Sequence, residues 1–107
     1  MQLTRQEQKQ VKAVAQHLKR EFGASEILLY GSAVHGNMSA ESDIDLLAVL
    51  PARNWETEKR IADFCFGVEM DLGRVISVLP IAQDEYRSSA MSFAPIVLNA
   101  RREGILL

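Results

Sequence analysis

Four residues that could bind a metal ion and phosphate lie close together in the sequence. Gly31 and Ser32 are followed, after ten residues, by Asp43 and Asp45. Residues two apart on a β-strand point to the same side of the sheet, so the two carboxylates should face one spot. At about 4 Å they would repel by about 4 kcal/mol at an effective dielectric of about 20, unless a proton or a cation lay between them. Mg²⁺ is the expected cation, because one or two carboxylates and substrate phosphates commonly hold it.

The glycine and the serine suit the phosphate end of such a site. Gly31 permits a tight exit from a strand and lets the backbone approach a ligand with no Cβ in between. Ser32 is predicted to cap a short helix that begins at Ala33, so that its hydroxyl and the first free N–H groups form an anion site. Gly36 and Asn37 are the predicted end of this helix.

Apolar runs place both halves of this motif at the ends of strands. One run, at 27–30, precedes the glycine, and another, at 46–50, follows the second aspartate. The alternation of strands and amphipathic helices along the chain favours an α/β fold. The predicted elements are a helix from Thr4 to Gly23, strands at 27–30 and 44–50, a helix from Asn54 to Leu72, a strand at 75–79, and short helices from Asp84 and from Pro95 to Glu103.

Length and composition predict one domain, covering residues 1–107. The chain has 107 residues, of which 48% are hydrophobic, enough for one core but not two. Its net charge is −2 with acidic and basic residues interspersed, which disfavours unaided binding to a long nucleic acid. A single cysteine and the absence of an apolar run of about 20 residues favour a cytoplasmic protein with no membrane segment.

The motif of Gly31, Ser32, Asp43 and Asp45 resembles the signature of the DNA polymerase β-like nucleotidyltransferase superfamily. In size the chain is similar to the minimal (MNT-type) members, and residues 99–107 are similar to the C-terminal ending of one subgroup. The resemblance implies a small mixed β-sheet flanked by helices, which binds ATP or another nucleoside triphosphate with Mg²⁺ and transfers a nucleotidyl group. It assigns catalysis and metal binding to the two aspartates and nucleotide binding to Gly31 and Ser32. Many minimal members pair with a small helical HEPN protein as toxin and antitoxin, and as a family trait adenylylate a tyrosine of that partner.

The chain departs from the superfamily pattern in two ways. Active members commonly carry a third carboxylate on a later strand, whereas the stretch 74–79 contains no acid and has Ser77 as its only uncharged polar residue. Glu69 and Asp71 lie just upstream, at the predicted end of a helix, and Asp71 reaches the site only if the strand begins earlier. His35 stands where many relatives have an arginine, which leaves less fixed positive charge for a triphosphate.

Three functions remain open on these grounds. The first, which the retained motif favours narrowly, is an Mg²⁺-dependent transferase that adenylylates a hydroxyl of a partner protein. The second, which the missing acid favours, is a catalytically degenerate relative that binds nucleotide or only its partner, as an antitoxin or regulatory module. The third is an RNA-terminal transferase subunit whose acceptor contacts come from another chain.

The positions of three further side chains and of the apolar stretch at 105–107 can also be predicted. His17 is expected on the surface, because it faces away from the apolar stripe of its helix, and Cys65 is expected to be a packed core thiol. Trp55 is interpreted as core packing in preference to an anchor for a partner. The apolar stretch 105–107 is expected to dock on a sheet edge or on another protein.

Overall fold

The computed structural model describes residues 3–36, 38, 39, 41–88 and 94–107. No helix among these residues combines the length and the apolar character needed to cross a bilayer. In chain order the elements are α1 (Arg5–Phe22), β1 (Glu26–Tyr30), α2 (Ser32–His35), β2 (Ile44–Leu50), α3 (Trp55–Leu72), β3 (Ile76–Ala82), α4 (Gln83–Arg87), α5 (Pro95–Glu103) and β4 (Ile105–Leu106).

The strands form a small mixed sheet with helices on both faces, which confirms the predicted fold class. The strand order is β3-β2-β1-β4; β2 pairs in parallel with β3 and antiparallel with β1, and β4 pairs antiparallel with β1. Leu46 of β2 packs in one cluster with residues of α1 and α3. Its neighbour Leu47 packs in a second cluster with Tyr86 of α4 and Val97 of α5. Alternate residues of β2 therefore face opposite pairs of helices.

The ends of α1 and α3 match the predicted capping residues. Thr4 and Glu7 form a reciprocal capping box at the start of α1, and the Asn54 side chain accepts a hydrogen bond from the first turn of α3. These side chains satisfy N–H groups that have no partner inside their helices. Left-handed glycines close three helices: Gly23 ends α1, Gly36 ends α2 and Gly73 ends α3. Asn37, predicted with Gly36, lies outside the described residues.

Strand β3 is longer than predicted and begins later. It begins at Ile76, where the N–H donates to the carboxylate of Glu69 at 2.8 Å, and it runs through Pro80 to Ala82. The prediction that the strand ends at 79 was wrong because β3 is an edge strand. On its outer side a proline costs no ladder hydrogen bond.

The apolar chain end docks on the free edge of the sheet, one of its two predicted positions. Residues Ile105–Leu106 pair with β1. The N–H of Leu107 donates to the carbonyl of Ile27 at 2.9 Å, and the Lys19 ammonium donates to the carbonyl of Leu107 at 2.7 Å. The stretch thus completes the sheet beside β1.

Two side chains lie in unexpected environments. Trp55 is 72% exposed, because at 100° per residue it points about 120° away from buried Ile61, six residues later in α3. His17 is half-buried, and its ring stacks on Phe64 with centroids 3.7 Å apart. The predictions of a core tryptophan and a surface histidine were therefore wrong, whereas Cys65 is buried in the core as predicted.

Candidate functional site

A tight turn at Gly31 brings the end of β1 against Asp45. Gly31 has φ 78° and ψ −148°, and glycine adopts a positive φ without the strain that a Cβ causes. A Cβ built on Gly31 would lie 2.5 Å from Oδ2 of Asp45. The conformation and the close approach both require glycine. The glycine half and the acidic half of the motif therefore touch each other.

Ser32 is the first residue of α2 and not its N-cap, which corrects the prediction. Gly31 occupies the N-cap position, and no side chain caps the helix. The N–H groups of Val34 and His35 both donate to the Gly31 carbonyl, at 3.0 and 3.1 Å. Within the described part of the chain, the N–H groups of Ser32 and Ala33 and the Ser32 hydroxyl make no hydrogen bond. These three donors are available to an anion beside the turn.

The two aspartates lie at the start of β2. Asp45 is half-buried within the strand, whereas Asp43 is exposed and immediately precedes the first strand residue, Ile44. The predicted strand bounds of 44–50 are confirmed, whereas the strand geometry expected of Asp43 is not. Burial raises the pKa of the Asp45 carboxyl, and the negative charge of Asp43 raises it further. Neither carboxylate forms an ion pair with the described residues. Two coupled carboxylates without a counter-charge favour a bound cation.

Asp45 has a tyrosine on one side and a serine on the other. In the sheet register it pairs with Tyr30 of β1 and with Ser77 of β3. Burial, followed by the charge of Asp45, raises the pKa of the half-buried Tyr30. β3 carries no acid, as the sequence indicates, and Ser77 is exposed next to Asp45. The strand neighbour of Asp45 is therefore a hydroxyl and not a carboxylate.

The upstream acids do not supply the third carboxylate. Glu69 accepts from Ile76 and also contributes to the raised pKa of Cys65, and both of these neighbours belong to the cluster beneath α1 and α3. Asp45 faces the opposite side of the sheet. Asp71 is exposed near the end of α3 and makes no hydrogen bond or ion pair with any described residue.

The donor set fits one Mg²⁺ bound together with a phosphate ligand. The described residues contain no group of three or more His, Cys, Asp or Glu side chains that could hold a metal by themselves. Asp43 and Asp45 offer hard carboxylate oxygens, which Mg²⁺ prefers, and Mg²⁺ commonly takes its remaining ligands from phosphates and water. The site is therefore one that a phosphate-bearing substrate would complete.

Arg74 also belongs to this region, although the sequence motif does not include it. Its Nε donates to Oε2 of Glu7 at 2.7 Å, and the two side chains are 15% and 12% exposed. Its Nη1 donates to carbonyl groups in the segment before Asp43. One signal was available in the sequence: a lone charged residue between the helix-ending Gly73 and an apolar strand.

His35 bridges α2 to the C-terminal helix. Its Nε2 lies 3.0 Å from Oε2 of Glu103, and both side chains are about half exposed. The pair borders a cavity of about 360 Å³ between the two helices. The residues that line it are Tyr30, Gly31, Val34, His35, Ile96, Asn99, Ala100 and Glu103. The histidine therefore has a structural partner, a role that was not assigned to it from the sequence.

Comparisons with known proteins agree with this fold. The sequence profile of the family described as "Nucleotidyltransferase domain" matches residues 11–97, a span that contains the whole motif. Two crystal structures of variants of the toxin–antitoxin MntA–HpeT are similar, each with a TM-score of 0.58 over 91% of this chain and 70% of that chain. Sequence identity is 14% to the variant with two aspartate-to-glutamate substitutions and 17% to the variant with a tyrosine-to-alanine substitution. No curated protein sequence matches this chain.

Proposed function

This chain belongs to the nucleotidyltransferase domain family, with the polymerase β-like fold of its minimal members, and we propose that it transfers an adenylyl group from ATP to a hydroxyl of a partner protein. The observation that carries the proposal is the contact between the two halves of the motif. A Cβ on Gly31 would lie 2.5 Å from Oδ2 of Asp45, and the charge of Asp43 acts on the same carboxyl. This closeness supports a site in which the hydrogen-bond donors for phosphate lie beside the carboxylates that would hold the metal ion.

Each motif residue has a role in this proposal. Asp43 and Asp45 hold Mg²⁺, which when bound supplies positive charge to the phosphate oxygens of the nucleotide. The Ser32 hydroxyl and the free N–H groups of Ser32 and Ala33 donate to the phosphates. Gly31 lets these donors approach the aspartates without a side chain in between. The chain thereby orients the triphosphate beside the two acids.

The proposed reaction is a substitution at the α-phosphorus of ATP. The acceptor hydroxyl oxygen forms a bond to that phosphorus, and the bond from the phosphorus to the α,β-bridging oxygen breaks. Pyrophosphate leaves, and the hydroxyl proton passes to solvent. The chain contributes by holding the triphosphate in line with the incoming hydroxyl, which lowers the barrier through orientation.

A protein acceptor is proposed on the basis of surface chemistry. Trp55, Phe66 and Met70 of α3 are 72%, 63% and 72% exposed. At 100° per residue they fall within an arc of about 60° on the helix, and a shared exposed apolar face is typical of protein-binding surfaces. The similar structures are of a toxin–antitoxin. We propose that a small helical protein of the HEPN type is the partner, in the cytoplasm, where ATP and Mg²⁺ are available.

Ser77 favours a second candidate function. The residue beside Asp45 on β3 has no carboxylate to accept a proton from an acceptor hydroxyl or to hold a second cation. A protein with these residues could bind Mg²⁺ and ATP and act on its partner by occlusion, without transfer. The two candidates share the same nucleotide site and differ only in turnover.

The experiment that tests both candidates uses ATP labelled at the α-phosphate. The purified protein is incubated with the label, Mg²⁺ and a protein extract of the cells that produce it, and labelled proteins are separated by electrophoresis. The Asp43→Asn/Asp45→Asn double variant is the matched negative control. Mg²⁺-dependent ATP binding is measured on the same samples by calorimetry.

The outcomes separate the two functions. Label on an extract protein that is absent with the double variant supports adenylyl transfer. ATP binding without label supports the occluding module and overturns the transferase. If neither labelling nor Mg²⁺-dependent ATP binding occurs, the proposed nucleotide site itself is wrong.

A further inference from the structure

Asp43 is held by the backbone on both of its sides, and both contacts come from the segment that leads into β3. Nη1 of Arg74 donates to the carbonyl of Ser42 at 2.7 Å. That carbonyl belongs to the peptide group whose nitrogen is the nitrogen of Asp43. On the other side, the N–H of Ile44 donates to the carbonyl of Val75 at 2.9 Å. The position of Asp43 is therefore fixed through residues 74 and 75.

Asp45 needs no such support, because its place in β2 fixes it. It is paired with Tyr30 on one side and with Ser77 on the other, and its backbone is part of two strand ladders. Asp43 lies outside the strand. Any drift of the segment before β2 would move one carboxylate while the other stayed in place.

Arg74 anchors that segment at two points and is itself anchored. Besides the Ser42 carbonyl, its Nη1 donates to the carbonyl of Ser39 at 2.9 Å. Its Nε donates to Glu7, whose other carboxylate oxygen accepts from the N–H of Thr4 at 2.9 Å in the capping box of α1. A guanidinium can make these bonds together because its donors lie in one rigid plane, which a lysine ammonium does not offer.

We infer that Arg74 is a positioning residue, which sets Asp43 at the distance from Asp45 at which both carboxylates share one cation. The Glu7 carboxylate orients the guanidinium, and the guanidinium orients the peptide group that precedes Asp43. The inference rests on the proposed function for its catalytic consequence, while the positioning itself can be measured independently.

The test compares the wild type with variants at residues 7 and 74. Glu7→Gln keeps one side-chain oxygen, which the capping box uses, but it turns an amide NH2 towards Nε of Arg74. It therefore removes the support of Glu7 and retains the Arg74 donors that bond to the segment. Glu7→Gln/Arg74→Met removes those bonds and leaves no buried charge without a partner, so it should fold. Arg74→Lys in the wild-type background is the conservative variant, which retains the charge opposite Glu7. Hydrogen–deuterium exchange is followed residue by residue by NMR.

The expected exchange result is local. In the double variant and in Arg74→Lys, the amides of Ser42 and Ile44 should exchange at least about tenfold faster than in the wild type. The reason is that the segment can open locally without first breaking the Arg74 bonds. Amides inside β2, such as that of Leu47, exchange at the rate set by global stability. Glu7→Gln, which removes the support of Glu7 but not the Arg74 donors, should fall between the wild type and the double variant. If these amides are as well protected in the double variant as in the wild type, the inference is wrong.

The second readout is metal binding. Mn²⁺, a paramagnetic substitute for Mg²⁺, is titrated in the presence of ATP and followed by electron paramagnetic resonance. The double variant is expected to bind Mn²⁺ several-fold more weakly than the wild type, whereas transfer of label from ATP recovers at saturating Mg²⁺. If the double variant and the wild type bind Mn²⁺ equally, Arg74 acts only on stability and the inference is wrong. A wild-type protein that binds no Mn²⁺ with ATP would instead overturn the proposed function, while the exchange result would still decide the positioning.

Discussion

Asp45 of β2 and Ser77 of β3 are direct partners in the parallel pairing of the two strands. Adjacent strands lie about 4.8 Å apart, and paired residues point to the same face of the sheet. Asp45 is half-buried and Ser77 is exposed, so this pair opens to solvent. A serine hydroxyl therefore occupies the place from which a third carboxylate could join Asp43 and Asp45.

We predict that Ser77→Asp strengthens metal binding. A third carboxylate adds a hard oxygen ligand, so the Mg²⁺ concentration for half-maximal ATP binding should fall several-fold in calorimetric titrations. Without metal, the melting temperature should fall, because three close carboxylates repel one another. Ser77→Asn is the control, since it adds the same volume without charge. If ATP binding by Ser77→Asp and by Ser77→Asn depends equally on Mg²⁺, residue 77 does not share a metal site with Asp43 and Asp45.

Gly31→Ala tests the contact between the two halves of the motif. The new Cβ would meet Oδ2 of Asp45 and would also strain a backbone with φ 78° and ψ −148°, a region nearly confined to glycine, at a cost of about 1–3 kcal/mol in stability from strain alone. Gly73→Ala is the control for a positive φ without crowding, because Gly73 is left-handed helical at φ 71° and has open space around the added Cβ. Both variants should melt at lower temperature, and only Gly31→Ala should lose Mg²⁺-dependent ATP binding. Retention of that binding would show that the Asp45 carboxylate is free to move away.

Local signals predicted most of the fold. Capping residues such as Thr4 and Asn54, and helix-ending glycines such as Gly73, mark helix ends through backbone hydrogen bonds that depend on neighbouring residues only. The failures depend on distant parts of the chain. Pro80 continues β3 because that strand lies at an edge, and His17 is half-buried because Phe64 of another helix covers it. The extent of the single domain over 1–107 stays a prediction.

The candidate site could be predicted only as far as its motif. The motif assigned Gly31 and the two aspartates to one site, and the contact of Gly31 with Asp45 follows from the antiparallel pairing of β1 with β2. The Ser32 cap was predicted wrongly because α2 begins one residue earlier than expected, with Gly31 in the capping position. Arg74 acts on a segment more than thirty residues away in the sequence, so its partners follow from tertiary structure alone.

Cys65 is predicted to be chemically inert in the folded protein. Burial, together with the nearby charge of Glu69, raises the pKa of its thiol to about 11, and the thiol form is a poor nucleophile. A disulfide reagent such as Ellman's should therefore fail to label the native protein at about pH 8 and should label it fully in denaturant. Cys65→Ala should lower stability by about 1–2 kcal/mol and should leave ATP binding unchanged, because the thiol faces away from Asp45. Rapid labelling of the native protein would contradict this burial.

The raised pKa of Asp45 predicts that the metal site lowers the stability of the metal-free protein. The folded-state pKa lies above the ordinary 3.8 because of burial and the Asp43 charge. Protonation of Asp45 therefore stabilises the folded protein in full below pH 3.8. This stabilisation is lost as the pH rises through the folded-state pKa. In a chelator at neutral pH, Asp45→Asn should melt at a higher temperature than the wild type, because it removes an ionised carboxylate from a half-buried position.

Thermal melts followed by circular dichroism across a pH series check this prediction. The advantage of Asp45→Asn should shrink as the pH falls towards 3.8, where the wild-type carboxyl becomes protonated. Addition of Mg²⁺ with ATP should reverse the order, since binding to the folded state stabilises only the protein that retains both ligands. Asp71→Asn, an exposed change on α3, should follow the wild type throughout. If Asp45→Asn is the less stable protein at neutral pH without metal, then Asp45 has a stabilising partner and is not a carboxylate held ready for a cation.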